Sequence, residues 1–324
     1  MNAFEYAQPA TLDEAQALLT SASGPVAVLA GGTDLLTALK QGIVNPSRVV
    51  SLKRVEELRG IEVSGDAVRI GAMTSLAELA AHPDVVRLYP CLLTAVKGIG
   101  SAQIVNMGTV GGDLCQHPRC WYYRNGFGLF GMNNGASLVP EGENRYHAIF
   151  GNEGPAKFVN VSSLAPGLIA LGATFTIRGA DKQSRDIPAA EFFKTPSTPE
   201  YPLTALAAGE VLTHITIPAA QTRNATYEVR ERQGLDWPLV TASVAYKDAG
   251  GSAQDIRVVL GHVAPTPWVV DASAKSLEGK AIDEAAAAAC GTSAVVDAKP
   301  LSMNGYKVQL AKVAVKRALL AAAG

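Results

Sequence analysis

Two glycine-rich segments constrain this chain more than anything else in it: Leu29-Ala30-Gly31-Gly32-Thr33-Asp34-Leu35 and Asn106-Met107-Gly108-Thr109-Val110-Gly111-Gly112-Asp113. Each follows an apolar stretch and sets bare backbone N–H groups beside a small hydroxyl residue. Backbone lacking Cβ atoms can approach a ligand closely and reach positive φ. N–H groups gathered at a helix start or in a turn attract anions. Two such loops can grip a diphosphate from two sides with few cationic side chains. For the first loop alone, a tight strand-to-helix turn with Thr33 as helix cap explains the residues equally well. The second segment, with Gly108, Thr109, Gly111 and Gly112, shifts the balance toward a ligand. Neither loop is a Gly-x-Gly-x-x-Gly fingerprint, and no Lys-Ser/Thr pair makes the first a Walker loop.

A chain of 324 residues suits two or three domains. Its 28 basic and 29 acidic residues leave a formal net charge of −1, with no dense Lys/Arg run to recruit nucleic acid or an anionic membrane. The apolar runs at 285–289 and 318–323 are too short to span a bilayer. The opening residues, Met1 to Tyr6, lack the basic and apolar regions of an export signal. Four cysteines do not make a disulfide framework in a chain of this length. A cytoplasmic protein is expected, with co-export beside a signal-bearing partner as the alternative.

Thr11-Leu12-Asp13-Glu14 reads as a capping box that starts a helix running to about Ser21. A strand over Val26–Leu29, a helix over 33–40 and a strand over 48–52 then make a β-turn-α-β unit. Further strands are expected at 68–72, 158–161, 174–178 and 211–217. Ser75-Leu76-Ala77-Glu78 is a second capping box, and a helix over 84–97 stops at Gly98-Ile99-Gly100. Beyond Pro218 the composition changes. Runs at 227–230, 239–246 and 256–263 predict three antiparallel strands, followed by helices over 283–290 and 306–320. On the last helix, Tyr306, Leu310, Val313 and Ala314 share a face. The expected division is a domain over 1–219, with subdomains 1–55 and 56–219, and a second domain over 220–324.

The segments at 29–36 and 109–113 resemble the two FAD-binding motifs of the flavoprotein (medium) subunit of the molybdenum hydroxylases. That family includes xanthine dehydrogenase, bacterial aldehyde oxidoreductases and aerobic carbon monoxide dehydrogenase. The resemblance covers nearly the whole chain. It includes Ser-Ser-Leu-Ala-Pro-Gly-Leu-Ile-Ala-Leu-Gly-Ala at 162–173 and Val-Val-Leu-Gly-His-Val-Ala-Pro-Thr-Pro-Trp at 258–268. Cys120-Trp121-Tyr122-Tyr123-Arg124 and Gly142-Glu143-Asn144-Arg145-Tyr146-His147 are similar to the aldehyde oxidoreductase and xanthine dehydrogenase branch.

The resemblance implies an α+β fold: a two-subdomain FAD-binding domain, then a smaller α+β domain with a three-stranded antiparallel sheet and helices. It implies FAD held by Leu29, Ala30, Gly31, Gly32, Thr33, Asp34 and Leu35 and by Gly108, Thr109, Gly111, Gly112 and Asp113. Thr109 would donate its hydroxyl to a phosphate. Asp34 and Asp113 would stand beside a dianion, so they must face ribose hydroxyls or backbone donors. Residues 236–240 approach the flavin ring in a weaker match. Ser163 stands where the family often has Asp, which removes a carboxylate near the flavin.

Relatives in this branch carry an insertion holding a four-cysteine iron–sulfur cluster. Here the insertion, roughly 115–157, has only Cys115 and Cys120, whereas a [4Fe–4S] centre takes four ligands, usually thiolates. His117 and His147 could complete a zinc site on ligand chemistry alone. The reading preferred is two reduced thiols in a segment packed by Trp121, Tyr122, Tyr123, Phe127 and Phe130. Cys91 and Cys290 are expected to fill core space. His82 and His214 have no evident partners, and His262 lies at a strand end.

No nucleophile, catalytic dyad or metal-protease motif appears, as suits a subunit whose chemistry belongs to its cofactor. By resemblance, a large partner subunit holding molybdenum cofactor oxidises an aldehyde or N-heterocycle, and a small [2Fe–2S] partner relays electrons to FAD here. FAD then reduces an external acceptor, and this chain alone is inactive on substrate. Two other readings are a self-sufficient flavin oxidoreductase and a flavin-less structural subunit of such a complex.

Overall fold

The computed structural model describes residues 1–219, 222–232 and 234–324. Among the described residues the chain folds around three larger sheets, with a two-stranded pair of Met132–Asn133 and Ala136–Ser137 beside them, and the fold is α+β as expected. The first is a parallel three-stranded sheet in the order Glu5–Ala7, Arg48–Ser51, Val26–Leu29. Its crossovers carry the helices Leu12–Thr20 and Leu35–Lys40, as parallel strands require. Thr11 caps the first of these through its hydroxyl. The Glu14 carboxylate reaches back to the N–H of Ala10 at 2.8 Å, not to that of Thr11, so the expected capping box is only half formed.

The second sheet is antiparallel, in the order Ile61–Ser64, Ala67–Gly71, Val211–Pro218, Thr174–Arg178, Ser184–Pro188. Val68, Ile70, Phe175, Ile177, Ile215 and Ile217 alternate along three of these strands and build the largest core. Helices Pro90–Gly98 and Ala165–Ala170 complete that core. The helix expected over 84–97 is two helices, Pro83–Leu88 and Pro90–Gly98. Pro90 has no N–H to continue the first, and Tyr89 leaves helical geometry at φ −128° and ψ 58°. The capping box at Ser75 forms in full, with Glu78 bonding back to the Ser75 N–H.

The third sheet holds Arg223–Val229, Val240–Asp248 and Ala253–Gly261, and Trp268–Val269 adds a fourth strand that the three-stranded expectation lacked. Helices Glu284–Ser293 and Tyr306–Ala323 cover one of its faces. Val240 to Tyr246 are buried throughout, because helix Ala165–Ala170 packs on the other face. Asn224 ties this sheet to the second core, accepting from the Cys91 N–H at 3.1 Å and donating to the Leu88 carbonyl at 2.8 Å.

Three further expectations are corrected. Residues 158–161 form no strand, because their backbone bonds run to turns; the Asn160 N–H, for instance, donates to the Ala264 carbonyl. The last helix buries Lys307, Ala311, Ala314, Val315, Ala318, Leu319 and Ala322; of the expected face only Ala314 is fully buried, Leu310 packs at the edge of the core and Tyr306 is exposed. His214 does have a partner, with Nδ1 3.1 Å from an Arg69 guanidinium nitrogen. The expected division at 219/220 falls beside Ala220 and Gln221, which lie outside the described residues. Among the described residues, no helix is long and apolar enough to cross a membrane.

Candidate functional site

The first glycine loop leaves strand Val26–Leu29 and enters helix Leu35–Lys40. Gly32 makes the turn at φ 87°. Thr33 is exposed and does not cap the helix, contrary to expectation. Asp34 occupies the cap position but makes no capping bond either. Its carboxylate is drawn away to Arg124 at 2.9 Å, Arg119 at 3.2 Å and the His117 N–H at 3.1 Å. Burial acts to raise the Asp34 carboxyl, and the two guanidiniums outweigh it and hold the group below the usual carboxylate range. The N–H groups of Gly31, Gly32, Thr33 and Asp34 donate to no acceptor among the described residues.

The second loop follows helix Ala102–Met107 and opens the short helix Val110–Leu114. Thr109 caps that helix, its hydroxyl accepting from the Gly112 N–H at 3.1 Å. The loop is clamped to the segment that follows strand Ala67–Gly71: Leu76 N–H bonds the Gly108 carbonyl at 2.9 Å, and Gly111 N–H bonds the Ala72 carbonyl at 2.8 Å. A Cβ on Gly111 would lie 2.9 Å from that of Ala72. Gly111 is therefore needed for packing as much as for any ligand.

The two loops meet. A Cβ on Gly31 would stand 2.1 Å from the Met107 carbonyl oxygen and 3.0 Å from the Gly108 Cα. Together they wall one cavity of about 980 Å³, lined by residues 30–35 and by Gly108, Thr109, Gly111, Gly112 and Asp113. Leu29 is the exception in the expected set, because its side chain packs in the core with Leu39 and Val49. The Asp113 carboxylate accepts from Ser162 Oγ, the N–H groups of Ser163 and Leu164 at 3.2 and 3.0 Å, and Gln116 at 3.1 Å. Burial pushes the Asp113 carboxyl above its usual range, opposed by these hydrogen bonds. Ser163 lines the cavity, and Asp236 to Pro238 close part of its wall.

Several wall residues have no local signature in the sequence. Arg119 lies over the Trp237 ring, with its guanidinium carbon 5.0 Å from the ring centroid. Arg230 is held by the Glu228 carboxylate at 2.6 Å and the Asp236 carbonyl at 2.6 Å. The Arg119–Arg124 pair was visible only as two arginines in the insertion, since its carboxylate partner lies 90 residues from Arg124.

Cys115 and Cys120 are unbridged, and Cys120 Sγ lies 3.2 Å from His147 Nε2. Among the described residues, no group of three or more His, Cys, Asp or Glu side chains could hold a metal ion. Phe130 is buried against Ala156 and Phe158, whereas Phe127 is exposed. Cys91 and Cys290 are fully buried in the cores. His262 turns the chain at φ 63°, with Nδ1 3.1 Å from the Thr241 hydroxyl.

Residues 2–220 match the FAD binding domain in molybdopterin dehydrogenase, and residues 225–322 match the CO dehydrogenase flavoprotein C-terminal domain. The carbon monoxide dehydrogenase medium chain of Hydrogenophaga pseudoflava is 32% identical over 98% of this chain and 96% of its own length. The aldehyde oxidoreductase FAD-binding subunit PaoB of Escherichia coli is 31% identical over 96% of each chain. Among solved structures, carbon monoxide dehydrogenase from Hydrogenophaga pseudoflava superposes with a TM-score of 0.78 at 30% identity, covering 99% of this chain and 97% of that one. Quinoline 2-oxidoreductase from Pseudomonas putida 86 gives 0.77 at 26% identity, covering 99% and 97%.

Proposed function

This chain belongs to the FAD-binding subunits of the molybdopterin dehydrogenases, and from that premise we propose that it binds FAD between its two glycine loops and carries electrons as the medium subunit of a molybdenum hydroxylase. The observation that supports this most is the meeting of the loops on one cavity, with four N–H groups of the first loop free to donate. Those N–H groups and the Thr33 and Thr109 hydroxyls would hold the diphosphate. Gly112 would let backbone approach through Cα, because its N–H already serves Thr109. Asp34 and Asp113 suit such a site because their carboxylates are engaged by protein donors. FAD, when bound, supplies the redox chemistry, taking up electrons and passing them to an acceptor.

The partners in this proposal are a large subunit with molybdenum cofactor and a small [2Fe–2S] subunit, and the substrate class is an aldehyde or N-heterocycle. Relatives named as a medium chain and as an FAD-binding subunit support a multi-subunit assembly. FAD is the only redox group assigned to this chain, since the insertion offers two cysteines. Purified chain should carry about one FAD and should not oxidise aldehydes unaided. Co-expression with the candidate partners should restore aldehyde-dependent reduction of an acceptor. A colourless chain with no affinity for FAD would refute the proposal, and so would robust aldehyde oxidation by the isolated polypeptide.

A further inference from the structure

We propose that Arg119 supplies the positive charge facing the cofactor's diphosphate, an assignment that rests on the cavity being the FAD site. Neither glycine loop contains Lys or Arg. Among the described residues, three arginines line the cavity: Arg119, Arg230 and Arg232. Arg230 is committed to the buried Glu228 carboxylate and the Asp236 carbonyl. Arg232 leaves 78% of its side chain in solvent and pairs with Asp236 at 3.6 Å. Solvent screens such a charge strongly.

Arg119 differs from both. It shares the single Asp34 carboxylate with Arg124, so two guanidiniums meet one carboxylate and one positive charge is left over. Arg124 is bonded further to the Pro118 and His117 carbonyls and does not reach the cavity wall. Arg119 keeps 26% of its side chain accessible where it lines the cavity. That is enough for its guanidinium to meet a ligand and too little for solvent to screen it fully. The Trp237 ring backs the guanidinium at 5.0 Å, and Asp34 fixes its other side at the first loop. Arg119 is thereby held at the wall with a surplus charge unspent. The other acidic wall residue of the loops, Asp113, is served by hydrogen-bond donors and makes no claim on Arg119.

The full-length chain, stripped of flavin, tests this by titration with FAD and with riboflavin, which lacks the diphosphate, at low and high sodium chloride. Arg119→Gln should weaken FAD about tenfold or more, as loss of a charge-assisted contact does, and should flatten the salt dependence of FAD binding. Riboflavin affinity should be unchanged. Arg119→Lys keeps the charge without the planar fork, so it should lose a smaller part of the affinity and retain the salt dependence. If Arg119→Gln does not fold, the lysine variant decides: loss of salt dependence there would overturn the assignment. Equal weakening of FAD and riboflavin, or no change in either, would also overturn it by leaving Arg119 a merely structural role. No FAD binding by the unsubstituted chain would instead remove the reading of the cavity itself.

Discussion

The Met107 carbonyl oxygen occupies the space that a side chain on Gly31 would need, 2.1 Å from where its Cβ would lie. The loop that leaves the parallel sheet and the loop between helices Ala102–Met107 and Val110–Leu114 therefore touch backbone to backbone. That contact sets the width of the cavity between them. Gly31→Ala should force the loops apart, lowering stability by about 1–3 kcal/mol and cutting bound FAD at least tenfold. Gly154→Ala is the matched control, since a Cβ there meets nothing within 4 Å. Flavin released per chain and urea midpoints check both, and a Gly31→Ala chain with full flavin would mean the contact does not shape the site.

Thr109 caps the helix at the second loop through its hydroxyl. Thr109→Val keeps the shape and orphans the Gly112 N–H, at about 1 kcal/mol of stability. It should also weaken FAD, because the same hydroxyl hydrogen is free to donate into the cavity. Thr109→Ser restores both. Equilibrium unfolding and FAD titration of the two variants provide the check.

Asp113 joins the second loop to residues 162–164 by accepting from Ser162 Oγ and two backbone N–H groups. Asn at this position would turn an NH₂ group toward donors. Asp113→Asn should cost about 2 kcal/mol or more and loosen FAD together with it. Unaltered stability would show that the network carries little.

His147 and His262 predict acid sensitivity. Burial first, and the Lys307 charge second, depress His147 to about 4 and His262 to about 3. The unfolded chain binds protons at these groups near pH 6.5, whereas the fold refuses them until pH 4 and below. Stability should thus fall as pH drops from 6.5 toward 4, by about a kcal/mol per pH unit for each imidazole. Burial likewise lowers the Lys307 ammonium to about 7, so stability should keep rising with pH from 7 toward 10. His262→Asn, tolerant of the left-handed backbone at φ 63°, should reduce the acid slope. Urea unfolding between pH 4 and 7 measures it, and an unchanged slope would show that His262 titrates normally.

The sequence by itself determined what is local. Apolar patterning located most of the strands, and spacing of three residues located the caps at Thr11 and Ser75, because a helix end is satisfied by groups three positions away. The glycine-plus-hydroxyl pattern marked both loops that wall the cavity.

What the chain does with its charges was decided by the tertiary structure. Asp34 and Asp113 were expected to face ribose hydroxyls or backbone donors, and the donors their carboxylates find lie 83 and 90, and 49 to 51, residues along the chain. The Arg119 stack on Trp237 and the Gly31–Met107 contact are equally remote in sequence. The last helix centred its buried stripe on Lys307, Ala311 and Ala314, with Leu310 at its edge, because the sheet it covers, and the carbonyls of Tyr146, His147 and His262 around Lys307, selected that stripe. Helical and strand periods record only which residues share a surface. Which surface is buried, and which charge finds a partner, depends on distant segments that fold brings together and that leave no periodic trace.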